Sequence, residues 1–222
     1  MTGLSRSVFA IMTASMAALW AAGCASVPET RFYTLSAPFR PSTVEDRMPR
    51  SITPVYIEVM PVSVPERLAR PQLIVRSQGL GQETQLFVLE QDRWASHFND
   101  ELRDAFAAGI AGQTGAISEA RGARPAHAPD QPVYRIAIEL SQFDAVVGER
   151  VKARFSWAIT RLTDTRSAAC YAAISEPVDA GISGVVKGIQ RVVSTAVEDI
   201  SKNLIEMDTG HPVTCKPYKT VN

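Results

Sequence analysis

The sequence predicts a single α+β domain in which a mixed β-sheet with an antiparallel meander packs against two long helices. Three observations carry that expectation. Residues 133–147, 150–162 and 168–176 form successive strand-like runs, the first alternating through Tyr134, Ile136, Ile138 and Leu140 and the second through Val151 to Ile159, separated by short turn segments at Gly148-Glu149 and 163–167. Residues 94–110 and 184–207 instead repeat apolar side chains every three or four positions, the helical period. The chain has 222 residues, enough for one full core but not comfortably two.

The elements follow in order. Residues 31–35, Arg-Phe-Tyr-Thr-Leu, have the aromatic and β-branched character of a strand. Residues 36–51 hold Pro38, Pro41 and Pro49 and read as a loop. Residues 52–64 are extended, with Val55, Ile57 and Val59 on one face, and end at Pro61 and Pro65. Pro65 can open a single helical turn over 65–69. Residues 72–76 and 85–89 form a hairpin through Gly79-Leu80-Gly81, a turn rather than a dinucleotide loop because a third glycine is missing.

In the first helix, 94–110, Phe98, Leu102, Ala105, Phe106 and Ile110 form the buried stripe, and Asp100, Glu101, Arg103 and Asp104 are expected to face away. A Gly/Ala/Pro-rich loop over 112–132 follows, with a short strand inside it at 116–118. Within the meander, Val151, Ala153, Phe155, Trp157 and Ile159 point inward, while Lys152, Arg154, Ser156, Ala158 and Thr160 form a half-wet face. The second helix, 184–207, carries the apolar stripe Val185, Ile189, Val192, Val193, Ala196, Ile200 and Leu204. Its polar face is expected to hold Lys187, Arg191, Glu198, Asp199 and Lys202.

The N-terminus has a different pattern. Arg6 supplies positive charge, residues 8–22 carry none, and the run closes as Leu19-Trp20-Ala21-Ala22-Gly23-Cys24. This is the form of a bacterial lipoprotein signal, cut between Gly23 and Cys24 and lipidated on Cys24. The apolar run is short for a membrane span, which needs about 20 residues. Acyl chains at ~0.8 kcal/mol per buried methylene would hold the mature chain on a membrane surface. Ala25, not an aspartate, follows the cysteine, which favours the periplasmic face of the outer membrane. The expected organisation is a signal peptide over 1–23, a lipidated tether over 24–30, a domain over 31–207 and a C-terminal tail over 208–222.

Charges balance at 23 basic and 23 acidic residues, and no basic stripe stands out, which disfavours nucleic acid as a partner. With Cys24 lipidated, Cys170 and Cys215 remain as an even pair in an oxidising compartment. Two readings stand: a disulfide that pins the tail to the domain, or a buried Cys170 with Cys215 as a free thiol. His97, His127 and His211 lie apart with no HExxH spacing, and no CxxC occurs, so no metal site is expected. Neither a G-x-S-x-G turn nor a Walker-type loop is present. The expectation is a non-enzymatic protein without a cofactor, whose covalent group is the lipid on Cys24.

Several segments together resemble the ABC-type transport auxiliary lipoprotein family and its PqiC-like branch. They are Cys24 with the closely following Arg31-Phe32-Tyr33-Thr34-Leu35, the strand running from Ile57-Glu58-Val59 to Pro65, and Asp92-Arg93-Trp94-Ala95 at a helix start. The resemblance implies a periplasmic αβ domain tethered to the outer membrane. It further implies work beside MCE-domain proteins and an inner-membrane permease in lipid transport between membranes, and self-association into oligomers. It gives Trp94 two readings, a partner-docking residue or a core residue. A large aromatic at a strand-to-helix junction fills core volume, which favours the second. The competing functional class is a structural or assembly lipoprotein that binds envelope proteins or glycan.

Overall fold

The computed structural model describes residues 28–36, 55–76, 84–118 and 131–215. Gly23 and Cys24, the Gly79-Leu80-Gly81 turn and His127 lie outside these residues. The strands are β1 (Arg31–Tyr33), β2 (Tyr56–Val59), β3 (Gln72–Val75), β4 (Phe87–Trp94), β5 (Ile117–Ser118), β6 (Val133–Val146), β7 (Arg150–Arg161) and β8 (Ser167–Pro177). The helices are α1 (Phe98–Thr114) and α2 (Ile182–Asp208), and a 3-10 turn spans Glu66–Leu68. The fold is a mixed α+β single domain, with the strands divided between two mixed sheets.

The larger sheet has the order β5-β2-β6-β7-β8 and the smaller one β1-β4-β3. The meander β6-β7-β8 is antiparallel along its length, with Ile138 opposite Trp157 and Trp157 opposite Cys170. β2 instead runs parallel to both β5 and β6. A parallel bridge between Arg76 and Val146 stitches the end of β3 to the large sheet.

Strict alternation in β7 places Val151, Ala153, Phe155, Trp157 and Ile159 inward, all buried. Both helices lie on that face. Phe106 of α1 meets Phe155 edge-on at 5.4 Å between ring centres, a geometry that adds to area burial. Gly188 of α2 sits where the helix crosses the sheet, and a Cβ there would meet Val178 and Val151 side chains. A second aromatic run, Trp94–Phe98–Phe143, joins β4, α1 and β6 at 5.3 and 5.4 Å. It welds the small sheet to the large one.

Three local expectations change. Residue 94 ends a strand instead of opening a helix. The Trp94 N–H donates to the Pro71 carbonyl at 2.6 Å and the Ala95 N–H to the Tyr33 carbonyl at 2.8 Å, so pairing on both sides holds the backbone extended through this point. α1 therefore starts at Phe98, and it runs past Gly112 to Thr114, ending where Gly115 adopts φ +72°, a conformation that favours glycine. Finally, Glu101 and Asp199, expected on polar helix faces, are 7% and 6% exposed.

Candidate functional site

β1 begins seven residues after Cys24 and is only three residues long, at the short end for a strand. Side chains add to its backbone pairing. β1 lies parallel to β4 with Arg31 beside Asp92, Phe32 beside Arg93 and Tyr33 beside Trp94. The two segments that carried the sequence resemblance are thus neighbours in space. Asp92 is buried and accepts from Arg31 Nη2 at 2.9 Å on one oxygen and from Tyr33 Oη at 2.9 Å on the other.

The electrostatics follow from that carboxylate. Its hydrogen bond and charge push the Arg31 guanidinium further up from its ordinary value. Burial, then the hydrogen bond to Asp92, raises the Tyr33 phenol. Both groups stay in the protonated form that donates to Asp92.

One turn further on, Glu101 of α1 grips the chain as it leaves β1. Its Oε2 accepts from the Leu35 backbone N–H at 3.0 Å and from Thr34 Oγ1 at 2.9 Å, and its Oε1 accepts from Ser96 Oγ at 2.9 Å. From the opposite side, Gln190 Nε2 of α2 donates to the Thr34 carbonyl at 2.9 Å. Two buried carboxylates and both helices therefore fasten the strand nearest the expected anchor. We call this arrangement the anchor clamp.

Trp94 is 3% exposed and stacked on Phe98, so it fills core volume behind the clamp. Phe32, by contrast, is 66% exposed on the outer side of β1. Beside the clamp, Leu35, Ala105, Gly109, Gly112, Val193 and Val197 line an open, largely apolar groove of about 700 Å³ between α1 and α2.

A second fastening closes the C-terminal end. Cys170 and Cys215 are disulfide-bonded with their Cα atoms 5.5 Å apart. Buried Trp157 donates from Nε1 to Asn203 Oδ1 at 3.0 Å, and Asn203 Nδ2 donates to the Thr214 carbonyl at 3.1 Å. Glu206 accepts from the Thr214 N–H at 2.9 Å and from Thr214 Oγ1 at 2.7 Å. The Thr214 N–H chiefly holds the Glu206 carboxyl below its ordinary value. The tail is thus tied to both β8 and α2.

His97 occupies the N-cap position of α1 without a side-chain capping bond, and His211 bonds Thr209 in the segment after α2. Among the described residues, no cluster of His, Cys, Asp and Glu gathers to hold a metal ion. No described helix is long and apolar enough to cross a membrane.

Sequence reasoning missed Asp92 and Glu101 as buried contacts. For Glu101 a signal existed: position 101 is three after Phe98 and four before Ala105, so helical spacing puts it on the apolar stripe. For Asp92 there was none, because its partners lie 59 and 61 residues away.

The chain matches the family model of the ABC-type transport auxiliary lipoprotein component over residues 33–201. No curated protein matches it. Two crystal structures are among the similar solved structures. One, of an uncharacterized protein, has a TM-score of 0.60 at 16% identity, covering 80% of this chain and 99% of its own. The other, a Xanthomonas campestris protein with the DUF330 family model, has a TM-score of 0.55 at 15% identity, covering 81% and 98%. At these identities the likeness establishes the fold.

Proposed function

Because this chain belongs to the ABC-type transport auxiliary lipoprotein family, we propose that it is a non-enzymatic accessory subunit of an intermembrane lipid transport system of the MCE/ABC or Pqi type. In this reading, Cys24 carries the lipid and holds the domain at the periplasmic face of the outer membrane. The body meets an MCE-domain protein that itself works with an inner-membrane permease, and supports envelope integrity. Assembly into homo-oligomers belongs to the same proposal.

The observation that carries the reading is the family match over residues 33–201, which begins inside the anchor clamp and ends within α2. The clamp supports it mechanically. Six residues separate Cys24 from Arg31, and even a fully stretched chain of that length reaches no more than ~25 Å. A body held so near a bilayer transmits any pull on the anchor into β1. Asp92, Glu101 and Gln190 spread that pull over β4, α1 and α2.

The test is crosslinking in cells from exposed positions on the domain, with fractionation of a Cys24→Ser variant alongside. Crosslinks to an MCE-domain protein, lost when Cys24→Ser leaves the membrane fraction, are the expected result. Crosslinks confined to barrel-assembly or cell-wall components would overturn the transport reading. A Cys24→Ser protein that stays membrane-bound would overturn the anchor.

A further inference from the structure

The chain as a whole is charge-balanced, yet one concave site is not. Between the 3-10 turn and the first half of β7, a cavity of about 440 Å³ is lined by Arg67, Arg76, Lys152 and Arg154, against a single carboxylate, Asp144. The residues come from the 3-10 turn, the end of β3 and the middle of β7, up to 87 positions apart, which is why no basic stripe is visible in the sequence.

Sheet register assembles the site. Lys152 lies opposite Asp144 on β6 and Ser175 on β8, while Arg154 in the next row lies opposite Gln142 and Ala173. The bridge between Arg76 and Val146 brings Arg76 alongside, where its Nε donates to Asp144 Oδ1 at 2.8 Å. Asp144 thereby holds one guanidinium at the wall of the hollow. Among the described residues, neither Arg67 nor Lys152 has a carboxylate partner. Gln142 and Ser175 add neutral donors, and Phe143 and Ile174 give the cavity an apolar flank.

We propose that this hollow binds a phosphate ester. Guanidinium forks and an ammonium group converging on one concavity match the several acceptor oxygens of a phosphate, with charge-assisted bonds about twice as strong as neutral ones. The apolar flank suits the carbon side of an ester. The site shares no lining residue with the groove between α1 and α2, and it stands independently of the transport reading.

The full chain is titrated with inorganic phosphate and, separately, with short-chain phosphatidylglycerol kept monomeric, followed by NMR at the amides of 142–144, 152–154 and 173–175. Saturable shifts at these amides are expected. Tighter binding of the phosphatidylglycerol assigns a lipid headgroup as the source, and equal or tighter binding of phosphate assigns a free phosphate. Lys152→Gln and Arg67→Gln, both on exposed side chains, should each weaken binding about 3- to 10-fold, roughly one charge contact, with unfolding temperatures unchanged. Shifts elsewhere, affinity no better than for chloride, or variants that bind like the parent chain would each overturn the site. So would capture of an acidic peptide with no response to phosphate.

Discussion

Replacing Glu101 with alanine tests whether the anchor clamp holds the first strand. The perturbation removes a buried carboxylate that accepts from Leu35 N–H, Thr34 Oγ1 and Ser96 Oγ. Leu35 is 4% exposed, so its amide cannot turn to water once the acceptor is gone. An orphaned buried donor costs about 1–3 kcal/mol. The two hydroxyls are nearer solvent and add about 0.5 kcal/mol each, the low end for a net hydrogen bond. Alanine's better helix propensity returns a few tenths, which leaves a loss of about 2–4 kcal/mol. Glu101→Gln keeps an acceptor for Leu35 and should lose about half as much. Urea unfolding followed by tryptophan fluorescence measures the stability, and hydrogen exchange at Leu35 reads the clamp directly. Should Glu101→Ala lose under ~0.5 kcal/mol with the Leu35 amide as protected as before, the clamp does not hold the strand.

Other expectations follow from the same structure. Cys215→Ser opens a bridge spanning 45 residues, and chain entropy puts the loss near 4 kcal/mol; denaturation with and without reductant measures it, and identical midpoints would refute the tie. The phenol of Tyr134 is raised by burial and by its 3.0 Å hydrogen bond to Asp208, and Tyr33 is raised too. The folded state therefore keeps protons that the unfolded chain gives up, so this stability is complete below pH 10 and falls as pH rises beyond it. Tyr134→Phe should flatten that alkaline slope. Glu206 is lowered, so its contribution is present above its ordinary value of 4.5 and is lost as pH falls below it; Glu206→Gln should remove that acid-side dependence. Gly188→Ala places a Cβ against Val178 and should cost about 1–3 kcal/mol by overpacking, which a thermal melt will show.

Much of the architecture was legible because local periodicity records burial. Alternation through Tyr134–Leu140 and Val151–Ile159 specified the first two strands of the meander, since a one-position slip would expose Phe155 and Trp157, while the bulge between Leu140 and Gln142 was not read. The 3.6-residue stripe did the same for α2. The boundary at Trp94 was not legible. Its backbone state depends on Pro71 and Tyr33, distant in sequence, whose pairing outweighs the local pattern. The division into two sheets was hidden for a similar reason, because β1 reaches β4 across about sixty residues.

By itself, then, the sequence determined the fold class, the order of the main elements and the pair of segments that mark the family, all of which follow from local spacing and residue type. Only the tertiary structure decided that those segments touch, that Asp92 and Glu101 turn inward to hold the first strand, and that four separated cations share one hollow. Those are contacts between residues far apart in the chain, where the energy gained by burial and charge pairing depends on the folded geometry; local spacing marks Glu101 as inward but names none of its partners, and it marks Asp92 not at all.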